Sequence, residues 1–171
     1  MENLNVHTIA AGCLPGKKSG SGTLGSLCWS SLCIFNRRVS GGSEVIGIVD
    51  PVASQVNPVI FKEFEVPACQ PALKVIKEAG YISSFLTCGD STKVMEEICR
   101  LGVDSFSCDE QVSLTFARDL ALKYGLGFTG SLNVAQSLTL GLIDPGKDTL
   151  VSMAAGGMTG YILAPGLQYA L

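Results

Sequence analysis

The chain has 171 residues, 47% of them hydrophobic and 16% charged, with 20 glycines, 7 cysteines and 1 histidine. That length suits one domain or a piece of a larger one, and the apolar content excludes a disordered chain. A net charge of -3 and an isoelectric point near 5.1 exclude an electrostatic nucleic-acid binder, which would present a basic face. From the amino end, Met1 to Thr8 carries Glu2 and no apolar core, so no signal peptide is expected and a cytoplasmic location follows. Residues 1–40 read as an irregular Gly/Ser-rich segment without periodicity. Gly20-x-Gly22-x-x-Gly25 matches a dinucleotide fingerprint, but no strand precedes it and no acidic residue follows in a βαβ setting. Pro15-Gly16-Lys17-Lys18 lacks the glycine and the Ser/Thr of a phosphate loop.

Regular text begins at Ser43. Val45 to Val49 is an apolar run ending in Asp50-Pro51, which predicts a buried strand and a turn. Asn57-Pro58 predicts a helix start, with Asn57 as N-cap. Pro67 and Pro71 predict a break, hence two helices, the second near Ala72 to Ala79 and stopped by Gly80. Ile82 to Thr87 reads as a strand running into Cys88-Gly89-Asp90, and Ser91 as the cap of a helix that Gly102 ends. Val103 to Cys108 reads as a strand delivering Asp109-Glu110, Val112 to Tyr124 as an amphipathic helix stopped by Gly125, and Leu126 to Thr129 as a strand leading into Gly130-Ser131. A short helical piece to Leu140, a helix near Lys147 to Ala155 and a strand at Tyr161 to Ala164 complete the pattern.

Strands alternating with helices predict an α/β fold, with about five parallel strands joined by crossover helices. Asp50, Cys88, Asp90, Asp109, Glu110, Ser131 and Gln168 fall at or just past predicted strand carboxyl ends. That edge is where ligands bind in barrels and open α/β sheets alike. The stretch Thr149 to Leu171 is uncharged and long enough to cross a bilayer, but Gly156, Gly157, Gly160, Pro165 and Gly166 break it, so no membrane span is expected. The cysteines lack paired metal-site spacing, and their scatter predicts buried thiols rather than a disulfide framework.

Four segments in order, "GGSEVIGIVDPVASQVNPVIFKEFEVP", "FLTCGDSTKVMEEICRLGVDSFSCDEQVSL", "GSLNVAQSLTLG" and "GYILAPGLQYAL", resemble the uroporphyrinogen decarboxylase family. The resemblance is nearest to its methylcobamide:thiol methyltransferases and runs from Gly41 to Leu171; residues 1–40 do not share it. It implies a (β/α)8 barrel of which this chain carries only the C-terminal half, so a partial barrel with exposed sheet edges is expected. Pairing into a homo-oligomer would cover such edges. It also implies a small-molecule substrate of tetrapyrrole or methylcorrinoid/thiol type, acted on by decarboxylation (a lyase reaction of porphyrin biosynthesis) or by zinc-dependent methyl transfer. Decarboxylases carry an aspartate where Asp50 stands, so Asp50 and Asp109 become candidate catalytic residues, with Asp90, Gly130 and Ser131 candidates for substrate binding.

The methyltransferases hold zinc with a His-x-Cys and a later Cys. Here those positions read Leu86-Thr87-Cys88 and Gly166-Leu167, leaving Cys88 as the sole family metal ligand, and His7 is poorly placed to substitute. Catalytic zinc takes about three protein ligands, so no cofactor is expected. The expected function is that of a shortened family member with an incomplete zinc site. The alternatives are a non-catalytic half-barrel that binds or assembles, and a damaged gene product.

Overall fold

Short runs rich in valine, isoleucine and phenylalanine alternate with helices along the chain, and each run is a strand. In the computed structural model, residues 6–10 and 44–165 are described. The strands are β1 (Val6–Ala10), β2 (Val45–Asp50), β3 (Ile82–Thr87), β4 (Ser105–Ser107), β5 (Gly127–Leu132) and β6 (Tyr161–Pro165). Every neighbouring pair is parallel, and the order across the sheet is β1-β2-β3-β4-β5-β6, the order along the chain. A doubly wound sheet reverses its order at a switch point, whereas a (β/α)8 barrel adds each strand beside the last. The unreversed order is therefore that of a barrel arc, as the resemblance implied. The extra strand, β1, lies inside the segment expected to be irregular; Val-His-Thr-Ile is a β-favouring run that the Gly/Ser-rich text after it obscures.

The sheet has two unlike faces because side chains alternate along each strand. Ile48, Phe85, Phe106, Phe128 and Tyr161 stand side by side in register across β2 to β6. Phe106 stacks on Phe128 with centroids 5.8 Å apart, and Phe128 meets Tyr161 at 4.7 Å. Phe61, from the helical run after β2, meets Phe85 edge-on at 6.1 Å, so this row faces the helices and forms the core. The opposite face is small and polar in the middle of the sheet, with Ser84, Ser105 and Gly127 in one row and Leu86, Ser107 and Thr129 in the next.

The helices are α1 (Pro58–Ile60), α2 (Val66–Glu78), α3 (Met95–Arg100), α4 (Leu114–Tyr124) and α5 (Pro145–Gly156), with π turns at Phe61–Glu65 and Val134–Thr139. Asn57 is the expected cap: its Oδ1 accepts the Ile60 N–H at 2.9 Å. The expected break at Pro67 and Pro71 does not occur, because α1, the π turn and α2 form one continuous run. The π turn widens the helix just before Pro67, which then lies in a first turn where its missing donor costs little; Pro71 is carried inside α2. Ser91 does not cap with its side chain, since its hydroxyl meets Thr87 Oγ1 at 2.9 Å; its carbonyl accepts from Val94 and Met95 instead. Gly102 and Gly125 end their helices with φ of +84° and +69°, a conformation that disfavours residues with a Cβ. Strand β5 extends past the expected Thr129, so Gly130 and Ser131 lie within it. Among the described residues no helix is long and apolar enough to cross a membrane.

Candidate functional site

Parallel strands deliver their carboxyl ends to one edge of the sheet, and the candidate residues gather there. Asp50 closes β2 and is 1% exposed. It shares the face of Ile46 and Ile48, so it sits on the helix side of the sheet. Its Oδ1 accepts the N–H groups of Val52 at 2.8 Å and Ala53 at 3.2 Å, tying down the turn that follows the strand. That turn brings Ser54 against the loop after β3, where a Cβ at Gly89 would lie 2.9 Å from Ser54 Oγ. Gly89, at φ +72°, is therefore confined by both backbone conformation and space.

Asp109, 1% exposed at the end of β4, reaches back across the edge: its Oδ2 accepts the Gly89 N–H at 3.0 Å and its Oδ1 the Gln111 N–H at 3.3 Å. Asp90 is exposed and accepts from the Thr92 N–H at 3.1 Å and Oγ1 at 2.6 Å, which holds its carboxyl below the usual range. Glu110 Oε2 accepts the Val134 N–H, so the edge extends from β4 to the segment beyond β5. Cys88 is half-buried. Burial pushes its thiol up, and the carboxyls of Asp109 and Asp50 push it further. A thiol so placed is protonated at neutral pH and is a weak nucleophile.

The structure thus sets Asp50, Cys88 and Asp109 along one strand-end edge, with Asp109 bonded to the loop that bears Cys88, and leaves Asp90 on the rim. Ser131 is buried in β5, and its Oγ has no partner among the described residues. Gly130 is filled space: a Cβ there would lie 2.4 Å from Leu114 Cδ2 and 2.9 Å from Tyr161 Cε2. Gly166, Leu167 and Gln168, and with them the second family metal position, fall outside the described residues. So do Gly20 to Gly25 and Pro15 to Lys18.

Sequence reasoning missed Glu65. It closes the π turn, is 6% exposed, and hydrogen-bonds the Asp50 carboxyl. Burial raises its pKa to about 7, with the Asp50 charge as the next cause. A signal was there: Phe61, Glu65, Cys69, Leu73 and Ile76 recur at helical spacing and are all buried, so this glutamate interrupts an apolar stripe.

A zinc site of the family kind fits these residues poorly. Among the described residues no three His, Cys, Asp or Glu side chains stand close enough together to hold a metal ion. Leucine 86, two residues before Cys88, is an apolar group where a ligand nitrogen would be required.

The family model for uroporphyrinogen decarboxylase (URO-D) matches residues 28–171. The match begins upstream of Gly41, so residues 28–40, expected to be unlike the family, fall inside it. Uroporphyrinogen decarboxylase 2, chloroplastic, from Arabidopsis thaliana is 26% identical over 91 residues, which cover 53% of this chain and 23% of that protein. Among solved structures, a methyltransferase from Methanosarcina mazei superposes with a TM-score of 0.67 at 22% identity, covering 82% of this chain and 41% of that one. The dihydropteroate synthase of Yersinia pestis superposes with a TM-score of 0.57 at 18% identity, covering 98% of this chain and 65% of that one. The chain therefore spans about a quarter of the plant relative and about two fifths of the methyltransferase.

Proposed function

Because the chain belongs to the uroporphyrinogen decarboxylase family, we propose that its strand-end edge is the C-terminal part of a small-molecule site of decarboxylase type, working without a zinc-bound thiolate. The observation that carries this reading is the polar set at the edge: the Asp109 carboxyl, a buried Ser131 hydroxyl that meets no partner among the described residues, and a Cys88 thiol with two acidic neighbours. Activating an acceptor thiol for methyl transfer takes a metal held by about three protein ligands, and among the described residues no three such side chains stand together. Decarboxylation replaces a C–CO2 bond by C–H and asks the protein for orientation and proton movement, which hydrogen-bonding oxygens can supply.

In this reading the fixed turns after β2 and β3 shape the floor, and Asp109, clamped by the Gly89 N–H, accepts from ring N–H groups of a tetrapyrrole. Two measurements test the proposal together. Protein purified from zinc-supplied cells should hold well under one zinc per chain. Uroporphyrinogen should bind saturably and more weakly to Asp109→Asn. One tightly held zinc, with methyl transfer from a methylcorrinoid to a thiol, would overturn the proposal, as would absence of tetrapyrrole binding.

A further inference from the structure

Two carboxyl groups meet in the corner between the end of β2 and the π turn, and elementary chemistry limits what they can be. Among the described residues neither Asp50 Oδ2 nor Glu65 Oε2 receives a donor from a third group, yet the two side chains hydrogen-bond each other. Two ionised carboxylates have no proton to donate and cannot make that bond. We propose that Asp50 and Glu65 share one proton, carried by Glu65, and that this acid pair is a latch holding the strand-end edge in place. Glu65 is then a positioning residue, acting on the site through Asp50.

The assignment of the proton follows from the partners. Burial raises the Asp50 carboxyl too, but its two backbone N–H partners and its bond to Glu65 pull the other way and favour its charged form. Glu65 gains no such help, and burial and the Asp50 charge both favour its neutral form. Among the described residues no cation takes over the role. Lys62, in the same π turn, ion-pairs with Glu97 at 3.0 Å, and the Asp50 charge is felt by the Cys88 thiol, which Asp109 also faces. Loss of the proton would leave two charges in a buried corner, and parting β2 from the π turn relieves them. The turn after Asp50 carries Ser54 against Gly89, so the movement would reach the loop that bears Cys88. This inference is independent of which reaction the family site performs.

The sign is set by the folded state holding the proton more tightly. Glu65 is raised from 4.5 to about 7, so its contribution is full below about 4.5, declines as pH rises, and is gone above about 7. Denaturation of the full chain should show the folding constant falling about tenfold per pH unit within that window and levelling beyond it. Glu65→Gln keeps a donor and cannot ionise, so the wild-type curve minus the variant's should isolate this slope. Infrared spectra at neutral pH should show the carbonyl band of a protonated buried acid, lost in Glu65→Gln. Alkylation of Cys88 should change with pH more steeply in the wild type than in the variant. Identical pH curves for the two proteins, or no protonated-acid band, would overturn the proposal; if Glu65→Gln does not fold, the wild-type band alone decides it.

Discussion

Replacing Gly156 by alanine sets two effects of opposite sign against each other. Gly156 is the last residue of α5, and alanine is favoured over glycine within a helix by about 0.5–1 kcal/mol. A Cβ at that position would lie 2.6 Å from Tyr161 Cζ and 2.8 Å from both Cε1 and Cε2. The ring has little room to yield. Phe128 lies 4.7 Å away on one side, and the space above Gly130 is already taken by the ring and Leu114. Overpacking of this kind costs about 1–3 kcal/mol, so the steric effect should win and Gly156→Ala should lose roughly 1–2 kcal/mol. For a chain of this size each kcal/mol moves the melting temperature by about 2–4 °C, so thermal unfolding should shift down by about 2–8 °C. The double variant Gly156→Ala/Tyr161→Leu removes the ring edge that is struck. Measured against Tyr161→Leu alone, the alanine should then cost nothing or stabilise. A single variant melting at or above the wild-type temperature would refute the reasoning, because helix propensity alone would then account for the site.

Two further outcomes can be checked in the same preparations. Asp104 accepts the Ser83 N–H at 2.8 Å and its hydroxyl at 2.6 Å, joining the loop before β4 to the buried start of β3; Asp104→Ala should cost about 2–3 kcal/mol in urea denaturation, and a loss under about 0.5 kcal/mol would show the bonds to be replaceable. Burial pushes the Cys99 and Cys108 thiols up to about 12, and Cys88 is raised less. Alkylation followed by peptide mass spectrometry should label Cys88 ahead of Cys99 and Cys108 but behind free cysteine, and a Cys88 rate above that of free cysteine would contradict the electrostatics.

Much of the scaffold was legible because its signals are local. Val45 to Val49 and Ile82 to Thr87 announce strands by composition, Asn57-Pro58 announces a helix start, and Gly102 and Gly125 announce helix ends; each is decided within a few residues. The candidate edge was legible in outline for the same reason, since Asp50 directly follows an apolar run and Asp109 the alternating segment Val103 to Cys108. What could not be read depends on partners distant in sequence. The Pro67 break failed because a π turn upstream absorbed the proline, and nothing in Phe61–Glu65 marks a slip from i−4 to i−5 bonding. Gly130 looked like a loop glycine, and its real constraint is a tyrosine ring that arrives from β6. Glu65 was hidden in the same way: its neighbour Asp50 is fifteen residues back, on a different element.

The in-register line of Ile48, Phe85, Phe106, Phe128 and Tyr161 has a bearing on how such a chain can change over generations. Side chains invert from one surface to the other with every step along a strand, so the line works like the teeth of a zip. Inserting or deleting a single residue inside any of these strands would turn a bulky ring outward and leave a gap among its fellows. The crossovers between them carry no such alignment, and length variation should accumulate there.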